Sequence, residues 1–300
     1  MRDGARAAAW PALGLAVTYV VAVLIPLGRR LDSVSVHGRF GATDGARAAD
    51  LWLLEAISVT TLVLALAAVV LVGGVNGRWR RGLRASLATF GAVVSAEVLK
   101  HLLPGTSQWT GEWTWLTGGT FPSGHTAVAA SVSLAVLSVC SAPWRRLLVG
   151  PLVAGTAITA TATVTVGWHR PSDVLAGLFL AAAWHRALTV GIPAEQRLRS
   201  MLPRRARNEP GPVPVPVVAP ASPVVRERPG RSTVVMTGLW WAAACFLVLG
   251  SGTNGLVGHL RFGELAPLAY AGSLAVLLAG ALLIIPLSLR APAEPVGSGR

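Results

Sequence analysis

The sequence predicts an all-α fold, a polytopic membrane helical bundle, and three observations lead there. Of its 300 residues 53% are hydrophobic and only 13% charged, with a mean hydropathy of +0.58. The apolar residues gather into blocks of about 20 with almost no charge inside, the length that carries a helix across ~30 Å of hydrocarbon. Arginines fall mainly in the short segments between those blocks, which is how a polytopic chain sets its orientation. A net charge of +13 would suggest nucleic acid for a soluble chain, but no basic and aromatic platform accompanies it, so no nucleic acid is expected as a partner.

The first block, about 7–28, is too long for a signal-peptide core and has no obvious small-residue cleavage site, so it reads as a retained span. Blocks at about 51–72, 83–103, 123–142, 147–168, 172–191, 234–250 and 265–287 bring the total to about eight transmembrane spans. Between them, one side collects Arg2 and Arg6, then Arg78, Arg80, Arg81 and Arg84, then Arg145 and Arg146, then the long segment from Arg197 to Arg231. The other side holds Arg29, Arg30, Arg39 and Arg47, then only Arg170 and Arg261. The first side is therefore expected to be cytoplasmic, giving a multi-pass cell-membrane protein with both termini inside.

Residues 1–192 read as one membrane domain, with a six-span core and a bundle of interest at about 51–191. Residues 193–233 are rich in Arg and Pro, including the run from Pro210 to Pro216, and read as a cytoplasmic linker that cannot build a core. Beyond it, 234–290 is expected to form an accessory transmembrane hairpin and 291–300 a tail. That hairpin and the first span are expected at the periphery, because every candidate site residue lies between Lys100 and Asp173. Trp109, Trp113 and Trp115, with Glu112, read as an aromatic belt at the outer interface. Cys140 and Cys245 sit inside apolar blocks and offer neither a disulfide framework nor metal spacing.

The chemistry concentrates at two helix starts. In Phe121-Pro122-Ser123-Gly124-His125-Thr126 an outer loop turns into an apolar run, and the N–H groups of Ser123 and Gly124 are candidate donors to a phosphate-like anion. In Gly167-Trp168-His169-Arg170-Pro171-Ser172-Asp173 an imidazole and a carboxylate stand four residues apart at the mouth of the next run. The order of spans brings Lys100, His125, His169 and Asp173 to one membrane face, and ionisable residues there mark function by default. Together they suggest phosphoryl transfer: one imidazole attacks phosphorus, a second protonates the leaving oxygen, and a carboxylate fixes the tautomer of the first. Lys100 and the backbone donors would stabilise the equatorial oxygens, with no metal and no cofactor required.

Pro122-Ser123-Gly124-His125, followed by His169 and Asp173 at His-x-x-x-Asp spacing and preceded by Lys100, resembles the type 2 phosphatidic acid phosphatase family, membrane lipid phosphatases related to vanadium haloperoxidases. The resemblance covers about residues 51–191. It implies His169 as nucleophile, His125 as general acid and Asp173 as orienter in a lipid phosphate phosphatase whose substrate is a lipid phosphate drawn from membrane lipid. It also implies arginines where this chain has Ser107 and Thr163, leaving Arg170, and Arg39 or Arg47, as the replacement cations. The alternative is a catalytically weak or silent relative that binds phospholipid or a membrane partner.

Overall fold

The computed structural model describes residues 2–37, 44–103, 119–189 and 262–289, and no strand occurs among them. Nine α-helices cover the described residues: α1 Arg2–Tyr19, α2 Pro26–His37, α3 Asp44–Glu55, α4 Val59–Val75, α5 Trp79–Leu102, α6 Gly124–Val139, α7 Ala142–Thr165, α8 Pro171–Thr189 and α9 Phe262–Ser288. A π-helical turn at Val20–Leu24 prolongs α1.

Small residues on the inside and large ones on the outside explain how these helices pack. The buried face of α5 is Gly82, Ala85, Ala88, Thr89, Ala92 and Ala96, whereas Leu83, Leu87, Phe90, Val94 and Val98 are exposed. Lipid is as apolar as leucine, so burying leucine gains little there, and helices associate where small side chains let their backbones approach. Gly91 lies under the Trp184 ring, whose Nε1–H donates to Ser95 Oγ at 3.0 Å.

Helix α8 is the axis, since thirteen of its nineteen residues are buried and α1, α2, α5, α6, α7 and α9 all pack on it. Leu178, Phe179, Ala181 and Ala182 share one apolar cluster with Leu134 and Leu137 of α6, Val153 of α7, and Ala281, Ile284 and Ile285 of α9. The last apolar block is thus built into the bundle instead of lying at its edge, as expected from its distance in sequence, and so is the first. Arg186 shows why. Pro11 has no N–H to offer the carbonyl four residues earlier, and Arg186 Nε donates to that Ala7 oxygen at 2.7 Å. Its Nη1 reaches the uncapped Leu287 and Ser288 oxygens of α9 at 2.9 and 3.3 Å. One guanidinium on α8 therefore closes open carbonyls on both α1 and α9.

Among the described residues, four helices are long and apolar enough to cross a membrane, or five if α3 and α4, bent by 59°, form one span. The bend falls where Ser58 starts α4 with a capping box: Ser58 Oγ accepts Thr61 N–H at 3.2 Å and Thr61 Oγ1 accepts Ser58 N–H at 2.9 Å. The full count of eight is not reached, and the expected span at 234–250 and the linker 193–233 lie outside the described residues. Helix α2 corrects the expected outer loop. It turns back into the bundle, burying Asp32 through Val36.

Candidate active site

Two helix N-termini, those of α6 and α8, meet at the site. At α6, Ser123 is the N-cap, and its Oγ accepts the Thr126 N–H at 3.4 Å and the Thr126 hydroxyl at 3.1 Å. The Ser123 N–H donates to the Asp173 backbone oxygen at 2.8 Å, a bond that registers one motif against the other. This corrects the expectation that Ser123 N–H serves a phosphate, because that donor is already committed. The first-turn N–H groups of Gly124 and His125 remain as donors that the helix itself cannot satisfy. The crossing is close because Gly177 faces this turn: a Cβ there would lie 2.7 Å from the Ser123 oxygen.

The chain reaches α8 through a Schellman closure of α7. Gly167 sits at φ +81°, a left-handed conformation that glycine takes without steric cost. Its N–H bonds to the Val164 oxygen at 3.0 Å, and Trp168 N–H bonds to the Thr163 oxygen at 3.0 Å. His169 N–H reaches the same Thr163 oxygen at 3.2 Å, so the position expected to carry an arginine instead supplies a carbonyl that fixes the His169 backbone. The Thr163 side chain is buried and donates to the Ala160 oxygen at 2.8 Å.

His169 Nδ1 lies 3.6 Å from Asp173 Oδ2, one turn apart, which leaves Nε2 as the nitrogen directed away from the carboxylate. The same Oδ2 accepts Arg170 N–H at 3.0 Å, the half of a capping box that a residue in the first turn returns to the N-cap. His125 is half-buried in the first turn of α6, with its ring centroid 5.3 Å from that of Trp168, and His169, Lys100 and Glu97 are its charged or titratable neighbours. Lys100 Nζ bonds Glu97 Oε1 at 2.7 Å. The pair abuts the α6 start, since a Cβ on Gly124 would lie 3.4 Å from Nζ and 3.6 Å from Oε1.

Arg170, expected as a replacement cation, is buried in an unexpected way. It is 0% exposed, yet none of its three guanidinium nitrogens has a hydrogen-bond partner. Buried polar groups are nearly always satisfied, so a buried guanidinium whose five N–H donors meet no acceptor is a candidate anion-binding group. His169 is 7% exposed and Asp173 is buried, so all three side chains lie beneath the surface.

Three contributors escape a reading of the sequence. Glu97 neutralises Lys100, Thr163 acts through its main chain, and Asp32 of α2 binds the first turn of α8 through Ser172. For Asp32, Leu27, Leu31 and Val34 at helical spacing were the available signal. Of the remaining candidates, Ser107, Arg39 and the three tryptophans with Glu112 lie outside the described residues. No group of three or more His, Cys, Asp or Glu side chains among the described residues is arranged to hold a metal ion.

Residues 59–197 match the family model described as PAP2 superfamily. The match begins at α4 and runs past α8, so α2 and α9 lie outside it. No curated protein and no solved structure matches the chain.

Proposed function

We propose, for a chain whose residues 59–197 belong to the PAP2 superfamily, an integral membrane phosphatase that removes phosphate from a lipid phosphate or pyrophosphate through a phosphohistidine. The superfamily supports phosphatase-type activity in general, and the finer reading rests on the unpartnered guanidinium of Arg170, which follows His169 in the chain, and on the His169–Asp173 pair. His169 Nε2 attacks phosphorus while Asp173, which must close from 3.6 Å to accept Nδ1–H, fixes the ring, so the P–N bond forms as the bond to the lipid oxygen breaks. His125 gives that oxygen its proton, then takes one from the water that releases phosphate and restores the imidazole. Arg170, Lys100 and the Gly124 N–H stabilise the charge on the three equatorial oxygens. The arginine count on alternate loops supports a site facing outward, with substrate drawn from the outer leaflet.

Purified protein in detergent should release phosphate from at least one of a panel of lipid phosphates and pyrophosphates. His169→Ala should abolish that release. His125→Ala should slow esters with poor leaving groups far more than activated aryl phosphates, since only the former need protonation. The pairing of Lys100 with Glu97 favours a second reading, a silent relative that binds phospholipid without turnover. Inertness toward the whole panel would select it.

A further inference from the structure

Asp32 lies outside the segment covered by the family match, yet it is built into the site. The side chain is 8% exposed, and both its oxygens are used by one residue. Oδ1 accepts the Ser172 N–H at 3.0 Å and Oδ2 accepts the Ser172 hydroxyl at 2.6 Å. Ser172 stands between Arg170 and Asp173, in the first turn of the helix that starts beside His169.

Among the described residues outside its own helix, which also carries Arg29 and Arg30, the charged groups acting on Asp32 are on α8: Asp173, which repels it, and Arg170, which attracts it. Helix α9, which also packs on α2, offers only Tyr270 among its described titratable side chains, and that hydroxyl pairs with Thr165 at 2.8 Å. The π turn Val20–Leu24 brings no titratable group. Asp32 and Arg170 thus act on each other through charge alone, since the guanidinium makes no hydrogen bond.

We propose that Asp32 is a working part of the phosphate site: ionised, it balances Arg170 and repels an incoming dianion, and protonated, it releases Arg170 to that dianion. The proposal rests on the phosphate-site reading above. It makes anion binding a proton-coupled event, in which the site takes up one proton with each phosphate whenever Asp32 starts ionised. Helix α2 lies outside the candidate spans, and burial, followed by the Asp173 charge, pushes the Asp32 carboxyl up to about 7. Anion affinity therefore falls as pH rises through that value.

Inorganic sulfate is the probe, because it stays a dianion throughout the range and its own protonation does not enter. Full-length wild type and Asp32→Asn are titrated with it in detergent. The asparagine keeps an acceptor for the Ser172 N–H and removes the charge. The ratio of the two affinities should be close to unity at about pH 6 and about tenfold in favour of Asp32→Asn at about pH 8, one proton per bound anion. A ratio that does not change with pH overturns the role of Asp32. Failure of both proteins to bind sulfate overturns the phosphate-site reading itself, a distinguishable result. If Asp32→Asn does not fold, wild type alone decides at about pH 8: uptake of nearly one proton, from calorimetric heats in buffers of different ionisation enthalpy. A protonated-carboxyl infrared band appearing on binding should accompany that uptake, and its absence overturns the proposal.

Discussion

A single oxygen of Asp173 lies 3.6 Å from His169 Nδ1 and accepts Arg170 N–H at 3.0 Å, so the carboxylate proposed to orient the nucleophile also caps the helix. His125, His169 and Asp173 could be picked out from sequence because ionisable groups at the ends of apolar runs have few structural uses. Asp32 could not, since its partner is 140 residues away and the adjacent Arg29 and Arg30 gave its segment the look of an outer loop. The unequal weight of the two cations was hidden for a similar reason, because Lys100 was visible as a lysine but not as half of a pair with Glu97. Arg170→Met should therefore lower kcat/KM for phosphate release about a hundred- to a thousandfold, the cost of one preorganised donor. Little thermal stability should go with it, because the guanidinium makes no hydrogen bonds to lose. Lys100→Met should cost less, as its charge is already partly neutralised. Measured kcat/KM values in the opposite order would make Lys100 the principal cation.

Helices α6 and α8 owe their close crossing to the absence of a side chain at Gly177. A methyl there would stand 2.7 Å from the Ser123 oxygen, against main chain that cannot swing aside. Gly177→Ala should part the two N-termini and strain the Ser123 N–H bond to Asp173. Overpacking of this kind typically costs about 1–3 kcal/mol, to be read as a lowered melting temperature together with a loss of kcat larger than that of any Ala-to-Gly change on the lipid-facing side. Helix boundaries at this scale were mostly legible as the ends of apolar blocks. Breaks inside a block were not: Ser58 and Thr61 sit in an apolar run, and only their reciprocal caps reveal that the chain bends there. Helix α2 was missed because arginines flanking an amphipathic segment look the same whether that segment faces water or folds back.

Across the whole molecule, the first and last described helices meet on α8 through Arg186, and chain order gave no hint of it. Spans adjacent in sequence were read as adjacent in space, which holds for α5 to α8 but leaves α1 and α9 to be placed by contacts that only geometry reveals. A chain ended before Phe262 should therefore lose stability, since it exposes the α8 surface that covers Ala281, Ile284 and Ile285 and leaves Arg186 without two of its acceptors. Hydrogen bonds to a charged group contribute about 1.5–3 kcal/mol each, enough for the shortened protein to melt lower or aggregate in detergent. A monodisperse truncated protein with unchanged melting would show α9 to be dispensable. The same guanidinium sets a clock on biosynthesis. Ser288 is made 102 residues after Arg186, and at about 5–20 residues per second the arginine waits roughly 5–20 s in the membrane before its last acceptors exist. During that interval α8 is complete, and of the three carbonyls that Arg186 closes only the Ala7 oxygen of α1 has been made.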